Sequence, residues 1–117
     1  MSERNTTFLL SDIKESIENI ISFTSDFSFE MYCTDIKTIH AVQHNFMIIG
    51  EAAARIADEY KELHKQINWR QVKDFRNVIV HDYFGIDNSI VWDIIQLHLP
   101  ELKLRIDELL LKENLNK

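Results

Sequence analysis

Residues 36–63 read IKTIHAVQHNFMIIGEAAARIADEYKEL, and the spacing of their apolar positions decides the fold class. From Val42 onward the steps between apolar positions are 4, 3, 4, 3, 4 and 3 residues, the period of a helix that packs along one face. The positions in this pattern are Ile36, Ile39, Val42, Phe46, Ile49, Ala53, Ile56, Tyr60 and Leu63. The pattern predicts one helix of about 28 residues, roughly 42 Å long at 1.5 Å per residue, with Thr34 as its N-cap.

The rest of the chain also follows a helical period. Residues 7–27 predict a first helix, 64–68 a break, 69–80 a third helix and 90–98 a fourth, and Pro100 stands in the first turn of a last helix. The apolar face of the first helix consists of Leu10, Ile13, Ile17, Ile20 together with Ile21, and Thr24. The chain has only 2 glycines and 1 proline, too few for the turns of an all-β fold. We therefore expect an all-α, antiparallel, up-and-down bundle of four or five helices.

Length and composition exclude several classes of protein. A chain of 117 residues with 45% hydrophobic and 27% charged residues is expected to form one globular domain over residues 1–117. Its single cysteine, Cys33, cannot form an internal disulfide, which suits the reducing cytoplasm. The longest apolar runs, such as residues 46–49, are far shorter than a membrane span requires. We therefore expect a cytoplasmic protein with no membrane contact.

Charge is distributed unevenly along the chain. The net charge is −6, which argues against coating of DNA regardless of sequence. Residues 61–81 nevertheless carry five basic and two acidic residues, a local net charge of +3. The five basic residues, called the basic strip below, are Lys61, Lys65, Arg70, Lys73 and Arg76.

The basic strip runs into the motif that carries the clearest chemistry. Residues 76–83 read RNVIVHDY, which places Arg76, His81 and Tyr83 at the spacing Arg-x4-His-x-Tyr, with Asn77 directly after the arginine. On an ideal helix, residues five apart point about 140° away from each other. Either the helix ends near His81, or the arginine and the histidine meet across a subunit boundary.

These residue types suit RNA cleavage without a metal ion. Arginine binds phosphate through several donors, and histidine transfers protons near neutral pH. With the ribose 2′-hydroxyl as nucleophile, His81 would be the acid or base, Arg76 would hold the phosphate and Asn77 would orient the imidazole. The alternative from the residues alone is structural: a histidine at a helix end, beside Asp82, is often a surface or capping residue.

Helix 36–63 holds the other candidates. His40 and His44 could share a zinc ion, but no third ligand is evident on their face, so we interpret them as exposed imidazoles and predict no metal site. Gly50 inside a helix is costly and indicates a close approach of another helix, within the subunit or at a dimer interface. Glu51 and Arg55 are expected to form an i, i+4 salt bridge. The alternative is that they lie near a functional cleft.

The motif resembles the Arg-x4-His-x-Tyr signature of HEPN domains, specifically the HepT toxins (DUF86-like). The other stretches that resemble this family are 50–52, Trp69, 83–87, 91–94 and 99–102. The resemblance implies a helical bundle that forms a homodimer, with two motifs facing each other across a cleft, and metal-independent ribonuclease activity. It brings Glu51, Arg55, Lys73 and Asp82 into consideration as residues lining that cleft.

The family also implies a regulatory partner. HepT toxins are silenced by a cognate minimal nucleotidyltransferase antitoxin, which transfers AMP from ATP to the motif tyrosine, here Tyr83. The chain would then be the RNA-cleaving toxin of a type VII-like toxin–antitoxin system, with no cofactor of its own. Two other hypotheses are a non-catalytic adaptor that binds a nucleotide or presents it to a nucleotidyltransferase, and a plain dimeric scaffold.

Overall fold

The computed structural model describes residues 5–77 and 88–115, which fold into helices joined by short turns. The elements are α1 (Thr6–Thr24), α2 (Phe29–Thr34), α3 (Ile36–Arg55), α4 (Asp58–Leu63), α5 (Trp69–Asp74), α6 (Asn88–Asp93), a π-helical turn (Ile94–His98) and α7 (Leu99–Leu115). Within these two ranges no residue belongs to a β-strand. The predicted all-α bundle is therefore confirmed.

Helix α1 lies at the centre of the bundle, between α3 and α7. Asn5 caps it by accepting a 2.7 Å hydrogen bond from the Thr7 amide. The predicted apolar face is buried, except that Ile21 is only partly buried against the core. The helix ends at Thr24, three residues before the predicted end. Asn19 donates a 3.2 Å hydrogen bond to the buried Asn45 of α3.

The prediction of one 28-residue helix is wrong, because the chain turns between α3 and α4. Ile56 and Ala57 adopt extended backbone conformations, with ψ of 135° and 143°. Ile56 remains in the core, so the apolar spacing continues although the helix does not. Asp58 then favours a new helix N-terminus through its charge. Leu63, the last position of the predicted apolar face, is 78% exposed.

Helix α2 lies between α1 and α3 in the chain. It places Tyr32 in the core against Trp92 of α6, with ring centroids 5.4 Å apart. The N-cap of α3 is Asp35, which accepts from the Thr38 amide, and Thr34 is the last residue of α2. Trp92 thus packs an end of the bundle, as its size suggests.

Helix α7 closes the bundle by packing its apolar face on α1. Leu99, Ile106 and Leu109 are buried, and Pro100 lies in the first turn, as predicted. The π-helical turn precedes it directly. Of the helices that the structure describes, none is both long and apolar enough to cross a membrane.

Two salt bridges connect α1 with α7, and their order along the two helices shows that the helices run antiparallel. Lys14 lies 3.2 Å from Asp107, and Glu18 lies 3.7 Å from Lys103. Burial raises the pKa of the Asp107 carboxyl, but hydrogen bonds and charge from Lys103 and Lys14 outweigh that effect and leave the pKa below its usual range. A carboxyl with a depressed pKa stabilises the folded state above its ordinary pKa of about 3.9, and this contribution disappears as the pH falls through the folded-state value.

Asp107→Asn is therefore expected to lower the free energy of unfolding by about 1 kcal/mol at neutral pH, and by less in acid. Chemical denaturation at the two pH values measures the difference. An equal loss at both would show that the Asp107 charge does not stabilise the fold.

Candidate active site

Arg76 follows helix α5, whose apolar residues are packed firmly in the core. Trp69, Val72 and Phe75 are buried, and Phe75 packs edge-on against Phe46 of α3, with ring centroids 5.5 Å apart. The Trp69 indole donates a 3.0 Å hydrogen bond to the His64 backbone carbonyl, which satisfies its polar group inside the core. The helix ends in a turn at Phe75, and helical conformation resumes at Arg76. These contacts fix the backbone from which the guanidinium projects.

The Arg76 guanidinium is held by Glu51 of α3. Nη1 of Arg76 lies 2.9 Å from Oε1 of Glu51. The side chains are 37% and 48% exposed, respectively, so an anion from solvent can reach the arginine. The expected local pair of Glu51 with Arg55 is wrong: Glu51 bridges to a residue 25 positions away, and Arg55 lies exposed in the last turn of α3.

Gly50 allows this contact by letting α3 and the end of α5 approach closely. A Cβ at position 50 would lie 2.9 Å from the Arg76 backbone nitrogen and 2.9 Å from the Lys73 carbonyl oxygen, and it would collide with the Arg76 side chain. The close approach predicted from this glycine is confirmed, within the subunit. A glycine followed by an acidic residue on a packed helix face is the sequence signal that could have identified Glu51 as the partner of Arg76.

Two residues of the basic strip, Lys61 and Lys73, lie near each other. Burial lowers the pKa of the Lys61 ammonium; Asp58 opposes this effect, and the positive charge of Lys73 lowers the pKa further. Lys61 of α4 and Lys73 of α5 are thus close enough to repel each other. Lys65, by contrast, is exposed and pairs with Glu62 at 3.2 Å.

The other motif residues follow Arg76 in the chain. Asn77 follows Arg76 and is exposed. His81, Asp82 and Tyr83 lie outside the described residues, so their arrangement around Arg76 stays a prediction.

Metal ligation finds no support in the described part of the chain. Residues 5–77 and 88–115 contain no group of three histidine, cysteine or acidic side chains placed to hold a metal ion. His40 and His44 are exposed on α3, as interpreted from the sequence.

Comparison with known proteins matches this chain to one family. A sequence model described as ribonuclease HepT-like matches residues 13–109. A probable ribonuclease HepT of Thermococcus cleftensis is 39% identical over 100 residues, 86% of this chain and 91% of the relative. A putative RNase of Methanocaldococcus jannaschii is 32% identical over 107 residues, 92% of this chain and 98% of the relative. A putative RNase of Caldanaerobacter subterraneus is 32% identical over 104 residues, 89% of this chain and 93% of the relative. No solved structure gives a significant match.

Proposed function

The chain belongs to the ribonuclease HepT-like family, and we propose that it is a metal-independent endoribonuclease, the toxin of a type VII-like toxin–antitoxin pair. One observation carries the proposal: Glu51 holds the half-exposed Arg76 guanidinium in place at the start of the motif. The names of the relatives support the reaction class. We propose a cytoplasmic location, because the proposed substrate RNA and the proposed AMP donor ATP are both found there.

Arg76 is the proposed phosphate clamp. A guanidinium has five N–H donors in a planar fork, and the bond to Glu51 engages one terminal nitrogen. The ion pair orients the fork while leaving the guanidinium accessible to a phosphate. In this proposal Lys73 and Arg55 add positive charge along the cleft, and Asp82 is proposed as a further residue of its lining.

The proposed reaction uses the RNA itself as the source of the nucleophile. The ribose 2′-oxygen attacks the adjacent phosphorus while His81 accepts the 2′-hydroxyl proton. The bond from phosphorus to the 5′-oxygen breaks, and a protonated histidine gives that oxygen its proton. The products are a 2′,3′-cyclic phosphate and a 5′-hydroxyl, and Arg76 stabilises the charge on the phosphorane between them. Asn77 orients the imidazole.

A homodimer supplies both histidines. One step needs a base and the other an acid, and each motif contributes one His81. Two copies of the chain facing each other across a cleft would provide the pair.

Modification of Tyr83 is the proposed means of control. A minimal nucleotidyltransferase would join the Tyr83 oxygen to the α-phosphorus of ATP and release pyrophosphate. The attached phosphodiester would lie two residues from His81, fill the cleft and offer Arg76 a competing anion. Intact mass before and after incubation with the partner and ATP, with Tyr83→Phe as control, tests this step.

Glu51 is proposed as a positioning residue for Arg76. Glu51→Gln retains the shape and a hydrogen-bond acceptor but removes the charge, so we expect cleavage to slow by about tenfold while stability changes by less than about 1 kcal/mol. Cleavage rates and chemical denaturation measure the two effects. Glu59→Gln, on the exposed surface of α4, is the matched control. An unchanged cleavage rate in Glu51→Gln would exclude the positioning role.

The experiment for the proposed activity uses labelled single-stranded RNA in EDTA. The protein is first shown by mass to carry no AMP. Cleavage by the wild type, absent in Arg76→Ala, supports a metal-independent ribonuclease that works through this site. No cleavage across several RNAs would favour the adaptor hypothesis.

A further inference from the structure

A recess lies between α5 and α7, on a different face of α5 from the candidate active site. It is a pocket of about 130 Å³. Gln71 and Phe75 line it, whereas Lys73 and Arg76 meet α3 at Gly50. Because Phe75 and Arg76 are neighbours in the chain, their Cα atoms are about 3.8 Å apart. The pocket therefore adjoins the candidate active site without forming part of it.

The pocket combines an apolar floor with a polar rim. Its floor consists of Ile67, Val72, Phe75 and Leu102, all buried in the core. Its rim carries side chains that both donate and accept hydrogen bonds. Such a combination fits a flat ring whose faces are apolar and whose edges are polar.

The rim supplies the edge contacts. Asn68 and Gln71 of the α5 region contribute amides, and His98, Glu101 and Arg105 contribute titratable or charged groups. Arg105 lies 3.7 Å from Glu108, longer than a strong charge-assisted hydrogen bond. Glu101 and Arg105 are four residues apart on α7 and project from the same face.

The dimensions also suit a ring. An apolar protein cavity of about 150 Å³ accommodates benzene, so this pocket of about 130 Å³ holds one six-membered ring, and the second ring of a purine would extend beyond it. An adjoining hollow of about 350 Å³ shares Asn68, Gln71 and Phe75 with it and extends to Arg70 and Asp74. The hollow therefore connects the pocket to Arg70, one residue of the basic strip.

The π-helical turn shapes the wall of the pocket. Ile94 borders the adjoining hollow and His98 borders the pocket, so the first and last residues of the turn both face this recess. Turns of this kind are rare and occur frequently at functional sites. The π-helical turn therefore forms part of the wall of this recess.

We propose that this pocket binds a nucleobase of the RNA, close to the phosphate held by Arg76; the identity of the ligand rests on the proposed function. Phe75, Val72 and Leu102 contact the ring, and the amides of Asn68 and Gln71 bind its edge. Guanine suits the rim best: Arg105 can donate to O6, and Glu101 can accept from N1–H and the amino group.

The test measures binding separately from cleavage. Unmodified His81→Ala protein, labelled with ¹⁵N, is titrated with GMP, AMP, CMP and UMP and followed by amide NMR shifts. We expect GMP to shift the amides around Gln71, His98 and Arg105 most strongly, and the double variant Gln71→Ala/Arg105→Ala, in the same background, to weaken this binding by roughly tenfold or more. Asn114→Ala/Lys37→Ala, which also removes one exposed amide and one exposed cation but not from the pocket, is the matched control and retains binding.

The outcomes separate the pocket from the proposed activity. Shifts at the pocket that the double variant abolishes support base binding, even if the wild type cleaves no RNA. No shift there with any mononucleotide, or equal shifts in the double variant and the control, overturns base binding, even if the wild type cleaves RNA. If the wild type cleaves RNA, its preference for a particular base at the cleavage site can be compared with that of Gln71→Ala/Arg105→Ala. Loss of this preference in the double variant adds independent support.

Discussion

Replacing His81 by alanine is expected to slow RNA cleavage by about 10²–10⁴-fold, the usual contribution of a general acid or base. In a dimer the substitution removes both proton-transfer groups, so the effect should lie toward the upper end of that range. Initial rates on one labelled RNA, with mass spectrometry to show that Tyr83 carries no AMP, measure the loss. Circular dichroism checks that the variant remains folded.

Two further variants identify the chemistry. Arg76→Lys retains a positive charge but loses the planar fork, so its activity should fall well below that of the wild type. His44→Ala removes an exposed histidine of α3 and should cleave at the wild-type rate. If His81→Ala and Arg76→Lys both cleave like the wild type, the site does not lie at this motif.

Gly50→Ala is expected to reduce both stability and activity. In an exposed helix this change stabilises by about 1 kcal/mol. Here the added methyl group meets the Arg76 backbone and the Lys73 carbonyl oxygen, and overpacking of this kind costs about 1–3 kcal/mol. Because α3 and the end of α5 must separate, Arg76 moves, and a misplacement of about 1 Å can slow an enzyme by about 10²-fold.

Chemical denaturation and cleavage rates measure the two effects of Gly50→Ala. Ala54→Ser adds one heavy atom on the exposed side of the same helix, and its stability should stay within about 0.5 kcal/mol of the wild type. A Gly50→Ala protein that is more stable than the wild type and fully active would show that the close approach is not required.

Local patterns predicted those parts of the fold that depend on neighbours along the chain. The apolar face of α1 and the position of Pro100 in the first turn of α7 follow from helical spacing and proline chemistry. The turn between α3 and α4 did not follow, because apolar spacing reports which side chains face the core. Ile56 is buried whether or not the backbone around it is helical.

For the candidate site, the sequence drew attention to Arg76 and did not predict the residue that binds it. The motif and the local excess of basic residues singled out Arg76, and Gly50 indicated a close approach. The partner of Arg76 was missed because helical geometry favours the pair of Glu51 with Arg55, four residues away. The observed bond to Glu51 depends on how α5 packs on α3, which no local pattern encodes.

The most direct test of the central claim is the chemistry of the RNA ends. Unmodified wild-type protein is incubated with a defined single-stranded RNA in EDTA, and the products are analysed by mass spectrometry. Attack by the 2′-hydroxyl predicts a 2′,3′-cyclic phosphate on one fragment and a 5′-hydroxyl on the other. Fragments with a 3′-hydroxyl and a 5′-phosphate would mean that water is the nucleophile and would contradict the mechanism.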